Sequence, residues 1–261
     1  MLRILRVMVF VLTSVPVSAQ DAMQSLDQAY ESLAWQGVGK LSIGGHGMCT
    51  AVLIAPDLVL TAAHCLFSDR REIFPPDQFE FRAGERFGSA EATRDVRQAI
   101  AHPEYAHNPN APAVVPNDIG ILRLSAPIHN GNIQPFETGG GVRMGEDLTV
   151  VSFAHDRTLA LSLQNGCEVF AQDDGAIAVT CDVDFGSSGA PVFRLVGGEP
   201  ILVAIVSAKA EINGERRALA ATLDGPLEYL LAEINRGQSN GARRVTIGSD
   251  GSGAARHTVG D

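Results

Sequence analysis

The stretch "CTAVLIAPDLVLTAAHC", residues 49–65, contains two apolar runs interrupted by Pro56 and Asp57, and it ends on a histidine set between Ala63 and Cys65. "CTAVLIA" and "LVLTAA" read as strands, and the Pro-Asp pair supplies the break between them. The same grammar continues on both sides. "KLSI", "FEFRAG", "DVRQAIA" and "DIGILRL" complete a first batch of strand-like runs separated by Gly, Pro or charged clusters. A second batch starts near residue 147: "DLTVVSF", "LALSL", "CEVFAQ", "AIAVTCD", "PVFRLV", "ILVAIVSA" and "RALAATL". Turn chemistry lies between these runs in "QDDGA" (172–176), "VGGEP" (196–200) and Asn213-Gly214. Two batches split by a polar region at 126–146, which includes "ETGGGVRMGE", predict an all-β protein of two antiparallel β-barrels.

The flanks differ from this body. Residues 21–35 place Met23, Leu26, Tyr30 and Leu33 at helical spacing, which predicts a short amphipathic helix; with Gln20 this segment is an N-terminal helix or short propeptide. Pro226 opens "PLEYLLAEINRG", with Leu227, Leu230, Leu231 and Ile234 on one face and Gly237 as the expected end of a docked C-terminal helix. Residues 237–261 are rich in Gly and Ser and read as a flexible tail.

At the N-terminus "MLRILR" is basic, "VMVFVLTSVPV" is apolar and "VSA" at 17–19 is small, the pattern of a signal peptide over residues 1–19. That apolar run is shorter than the roughly 20 residues a membrane span needs, so an exported protein, periplasmic or secreted, without a membrane span is expected. The chain of 261 residues carries a formal charge of −10. Loss of Arg3 and Arg6 with the leader makes the remainder more acidic still, which disfavours nucleic acid as a partner.

Export makes the cysteines interpretable. Four cysteines allow 3 pairings; Cys49–Cys65 and Cys167–Cys181 are the local choice, each closing a short loop worth roughly 3 kcal/mol in the entropy model. A zinc site is the competing reading, and no C-x-x-C spacing supports it.

The candidate chemistry begins with "CDVDFGSSGAPV", residues 181–192. A serine hydroxyl is a weak nucleophile that needs a histidine base, itself held by a carboxylate. Alone, Ser188 between Gly186 and Gly189 reads first as a turn serine, since turns rich in Gly and Ser are common. His64, at the end of an apolar strand among small alanines, reads as a candidate base with a packed histidine as the alternative, whereas Asp118 in "NDIGILRL" alone reads as the polar start of a strand.

Together the three stretches resemble the chymotrypsin/trypsin family of serine proteases over roughly residues 36–236. "VLTAAHC" is similar to the family's histidine motif, "NDIGILRL" to its aspartate motif and "GSSGAPV" to its serine motif. They occur in the order His, Asp, Ser, spaced by 54 and 70 residues, an order that subtilisins and α/β-hydrolases do not share. The resemblance implies two six-stranded barrels with the active site between them, and a serine endopeptidase acting through an acyl-enzyme. His64 is then the general base, Asp118 its orienting carboxylate and Ser188 the nucleophile, with the Gly186 and Ser188 N–H groups as oxyanion hole. The pair Cys49–Cys65 matches the family's disulfide beside the histidine. Ser207 in "AIVSAK" falls near the Asp in the substrate cleft, and "HPEY" at 102–105 resembles a loop before the aspartate motif, which makes His102 structural. His46, His107, His129, His155 and His257 are expected to be solvent-exposed. No cofactor or metal is implied; the expected partner is a protein or peptide substrate, and the chain is expected to act as a monomer. Two alternatives keep the fold: a non-catalytic or binding protein, and a regulatory protease of narrow specificity.

The chain also departs from the trypsin pattern. Ser187 replaces the aspartate that precedes the nucleophile, and "WQGVGKL" around Trp35 replaces the I-V-G-G start whose amine would pair with that aspartate. An oxyanion hole formed without an amine-driven switch is therefore expected. In this, and in the Cys167…Cys181-Asp182 hairpin, the chain resembles the bacterial glutamyl-endopeptidase-like branch. Asp182, Ser207 and Lys209 are the candidate pocket residues. Asp182 lies six before Ser188, as in trypsins, but Lys209 stands where trypsins carry Gly, and Val206 where a glutamate pocket would have His. Neither familiar specificity is encoded.

Overall fold

The computed structural model describes residues 23–45, 47–105, 112–154, 157–184, 186–212 and 214–242. The expected signal peptide at 1–19, the part of the expected tail beyond residue 242, and His46, His107, His155 and His257 lie outside the described residues.

Six strands form the first barrel: β1 (Val38–Ile43), β2 (Gly47–Ala55), β3 (Leu58–Thr61), β4 (Phe79–Ala83), β5 (Ala92–Ala101) and β6 (Gly120–Leu124). They close in the order β1-β2-β3-β6-β5-β4, every pairing antiparallel. Six more follow: β7 (Asp147–Ala154), β8 (Arg157–Asp173), β9 (Ala176–Val179), β10 (Pro191–Val196), β11 (Glu199–Ile212) and β12 (Glu215–Thr222). Their pairings run β7-β8-β9-β12-β11-β10 and return to β7, so the same strand order repeats in the second barrel. Closure leaves no long unpaired edge in either ring. Two short strands sit on the rim of the second barrel, Gln24–Ser25 on β8 and Glu137–Thr138 on β11.

Burial follows from the strand pattern. Leu41, Leu53, Val59, Phe79, Phe81 and Leu122 fill the first barrel, and Val150, Val169, Ile177, Val192 and Val203 the second. Trp35 and Phe136 pack on Phe193 with ring centroids 5.3 and 4.7 Å apart, joining the first barrel's entry and exit segments to the second barrel.

Three sequence expectations are corrected. The helix expected over 21–35 is confined to one turn, Ala29–Ser32, running into a 3-10 turn at Leu33–Trp35. Its apolar periodicity fails because Leu26 is buried behind the strand that pairs with β8, while Tyr30 and Leu33 are exposed. "LALSL" and "CEVFAQ" are one strand, β8, because Gly166 adopts a left-handed φ of 66° and the register shifts between Gln164 and Cys167 without breaking the pairing to β7. The C-terminal helix runs Pro226–Ala242, past Gly237, since an isolated glycine weakens a helix by only about 1 kcal/mol. Leu227, Leu230 and Ile234 are buried, as their spacing predicts. Buried Arg123 on β6 fixes the helix by donating to Asn235 Oδ1 at 2.7 Å and Asp57 Oδ2 at 2.6 Å.

His102 also faces this helix, with its ring 5.3 Å from that of Tyr229. Its Nδ1 is buried without a hydrogen-bond partner, and burial lowers its pKa from 6.5, opposed by Glu104. The unfolded chain therefore takes up a proton here at higher pH than the folded one. Stability is expected to fall as the pH drops below 6.5, and His102→Gln to flatten that part of the curve in urea denaturation. Identical slopes in both proteins would remove His102 from acid sensitivity.

Candidate active site

The candidate residues come from both barrels and converge where the barrels meet. β3 ends at Thr61 and a 3-10 turn, Ala63–Leu66, carries His64 into a cleft. Cys49 and Cys65 are joined by a disulfide under that turn, as are Cys167 and Cys181 at the entrance to the serine loop. The Cys49 and Cys65 sulfurs and a ring nitrogen of His64 lie within 4.8 Å of one another, but sulfurs bonded to each other leave no thiolate to hold zinc.

Asp118, 2% exposed, closes the turn before β6. Its carboxylate accepts three hydrogen bonds. The His64 backbone N–H donates to Oδ1 at 2.8 Å, Nδ1 of the same ring lies 2.7 Å from Oδ2, and Ser207 Oγ donates to Oδ2 at 2.5 Å. The two His64 contacts fix both the backbone and the ring of one residue. With the carboxylate ionised, the Nδ1 contact requires its proton on Nδ1, which leaves Nε2 as the acceptor. Tyr105 stands near this carboxylate; burial first and the Asp118 charge second push its phenol well above its usual pKa.

Ser188 follows β9 across the Cys181 disulfide. Gly186 and Gly189 have φ of 94° and 77°, values that side chains rarely adopt. At Gly189 a Cβ would stand 2.1 Å from Thr61 Oγ1 and 2.3 Å from Thr50 O, so the serine loop lies directly against the first barrel. Ser188, Gly186, His64 and Met48 line one cleft of about 1120 Å³, walled by the segment Phe67–Gln78 and Thr158. That volume accommodates several peptide residues.

The pocket candidates lie elsewhere. Ser207 is buried and committed to Asp118. Asp182 is half-exposed; its backbone N–H donates to Gln164 Oε1 at 3.0 Å and its Oδ2 pairs with Arg216 at 2.9 Å. Lys209 pairs with Asp184 at 2.7 Å. None of Asp182, Ser207 and Lys209 lines the His64 cleft. His129 is exposed, as expected. Sequence reasoning missed Asp184 and Arg216, although the alternation Asp182-Val183-Asp184 puts both carboxylates on one side of an extended segment. It also missed Thr50 and Ser152, for which the sequence holds no signal.

Two six-stranded barrels meeting at a His–Asp pair and a glycine-flanked serine define the two-barrel serine hydrolase architecture. The family model described as "Trypsin" matches residues 25–223, and the chain belongs to that family. Among curated relatives, the vitellin-degrading protease of Bombyx mori is 32% identical over 117 residues, covering 43% of this chain and 40% of that protein. Vitamin K-dependent protein C of Rattus norvegicus is 31% identical over 101 residues, covering 39% and 19%. The matches thus span less than half the length of these relatives. A solved structure of a Glu endopeptidase in complex with MPD shares the fold, with a TM-score of 0.66 at 15% identity over 85% of this chain and 98% of that one.

Proposed function

We propose that the chain is an exported serine endopeptidase in which His64, Asp118 and Ser188 act as a catalytic triad. The observation that carries this is the double grip of Asp118 on His64, at 2.8 and 2.7 Å, in the cleft that also presents Ser188. In this reading Ser188 Oγ attacks the scissile carbonyl carbon while its proton passes to His64 Nε2. The Gly186 and Ser188 N–H groups receive the oxyanion. Collapse of the tetrahedral intermediate breaks the C–N bond, and His64 returns the proton to the leaving amine. Water, deprotonated by the same imidazole, then releases the acyl group. Two disulfides fit an oxidising compartment, and among the described residues no helix is long and apolar enough to cross a membrane.

Labelling with a fluorophosphonate probe, with the modified residue mapped by mass spectrometry, tests this directly. Modification of Ser188 is the expected result; a mature chain that stays unlabelled while a control protease reacts leaves only a binding role for the fold.

On the acyl side, the reading favours an uncharged residue before the scissile bond. Beyond the cleft that holds His64 and Ser188, an acyl-side chain that reaches the segment before the nucleophile meets Asp182 already paired with Arg216 and Asp184 with Lys209. An incoming cation must therefore displace a resident one, and an incoming carboxylate meets two more. Cleavage after Arg, Lys or Glu in a peptide library is expected to be slower than after the best uncharged residue by about tenfold or more, the equivalent of ~1.4 kcal/mol. A dominant preference for any of the three sinks this part of the reading.

A further inference from the structure

We propose that Thr50 is a positioning residue that holds the oxyanion-binding loop in shape from the opposite barrel through a buried hydroxyl latch. The inference rests on the assignment of Ser188 as nucleophile and of the Gly186 and Ser188 N–H groups as oxyanion donors.

Thr50 lies in β2 and is fully buried. Its backbone N–H donates to Ser188 O at 2.9 Å, and its hydroxyl donates to Gly186 O at 2.8 Å. One residue of the first barrel therefore grips the carbonyls on both sides of Ser187. A hydroxyl has one proton and two acceptor sites. Phe153 O, at 3.5 Å, is the weaker claim on that proton, and an acceptor site takes the Phe153 N–H at 3.0 Å. The Thr50 carbonyl is held in turn by Thr61 Oγ1 at 2.9 Å.

The second barrel completes the latch. Ser187 is 1% exposed, and its Oγ lies 3.2 Å from Ser152 Oγ and 3.3 Å from Phe153 O, both on β7. Its carbonyl accepts the Ala190 N–H at 2.9 Å. Because a trans peptide points its C=O and N–H in opposite directions, fixing the Ser187 carbonyl on Ala190 turns the Ser188 N–H the other way. These contacts join neutral groups. An aspartate at 187 would be a buried charge in need of a cation; a serine anchored to Ser152 and Phe153, with Thr50 gripping its neighbours, orders the loop without one. The loop's shape is then independent of any new amino terminus.

The test uses the full chain as secreted, with Thr50→Val, which keeps shape and loses the hydroxyl, and Thr50→Ser, which keeps the hydroxyl. Thr50→Val is expected to lower kcat on a peptide anilide roughly 10- to 100-fold, less than or comparable to removing an oxyanion donor outright. KM should stay within about threefold, since the latch acts on the transition state. Affinity for a peptidyl trifluoromethyl ketone, which forms a tetrahedral adduct on serine, should weaken by the same factor as kcat, while the matching peptidyl alcohol binds as before. Thr50→Ser should stay within about threefold of wild type in all three. The latch is overturned if Thr50→Val keeps its kcat and ketone affinity, or if Thr50→Ser falls as far as Thr50→Val. If Thr50→Val does not fold, Ser187→Ala carries the test: a roughly 3- to 10-fold loss in kcat at constant KM supports the latch, and no loss overturns it. Wild-type chain that fluorophosphonate leaves unlabelled overturns the nucleophile assignment and the latch with it. Labelled wild type with an unaffected Thr50→Val overturns the latch alone.

Discussion

Ser188→Ala is expected to lower kcat for peptide hydrolysis by about 10⁶-fold, with substrate binding retained. The size follows from what the hydroxyl does in the proposed mechanism: without it no acyl-enzyme forms, and the groups that remain can only polarise the carbonyl and orient water. A residue of this kind acts as one unit with its base, so His64→Ala should cost about as much, and the double variant little more. The substitution is mild for the fold. Ser188 contributes a backbone carbonyl to Thr50, and alanine keeps that bond. Burst kinetics with an activated ester, comparing wild type and Ser188→Ala, reads the effect. Retention of more than about one part in a thousand of the activity would place the nucleophile elsewhere.

Asp118→Asn is expected to lower kcat by about 10⁴-fold with KM little changed, as in related triads. The carboxylate is acceptor-only and receives the His64 backbone N–H on Oδ1, with Nδ1 and Ser207 Oγ on Oδ2. An asparagine presents one oxygen and one NH₂. Placing the NH₂ at the Oδ1 site sets it against a backbone donor that cannot rotate. At the Oδ2 site it faces two groups that can adapt, since the Ser207 hydroxyl turns to accept and the imidazole moves its proton to Nε2. The second arrangement wins, and it leaves the ring with no lone pair for the Ser188 proton. The variant therefore folds with its geometry intact and the wrong tautomer. Steady-state kinetics at neutral pH, beside a melting curve close to that of wild type, checks both halves. A variant with more than about a tenth of wild-type kcat would show that Asp118 does not set the tautomer.

The acid-range stability expected from His102, the uncharged acyl-side preference and the Thr50 latch are smaller effects. Each concerns a part of the molecule that sequence motifs describe poorly. His102 was legible as a loop residue; that it faces Tyr229 of the C-terminal helix depends on two segments more than 100 positions apart. Asp182 was legible as a candidate pocket acid. Its pairing with Arg216 across the sheet arises only once β12 is placed beside the serine loop.

What the sequence determined by itself is local in origin. Strand-length apolar runs broken by Gly, Pro and charged residues specify strands, and their two batches specify two barrels, because alternation and turn chemistry act between neighbours along the chain. The docked face of Leu227, Leu230 and Ile234 was readable for the same reason. Periodicity failed at residues 21–35, where pairing of Gln24–Ser25 with β8 outweighed a weak helical preference, and at Gly166, where sheet pairing carried one strand through an expected break. The motifs around His64, Asp118 and Ser188 named three residues without bringing them together. Tertiary structure alone decided the double grip of Asp118 on His64 and the approach of Thr50 to Gly186. Those contacts join positions 54 and 136 residues apart. A hydroxyl on a buried strand has no sequence signature until the facing carbonyl arrives, and here only the closure of two barrels against each other brings it.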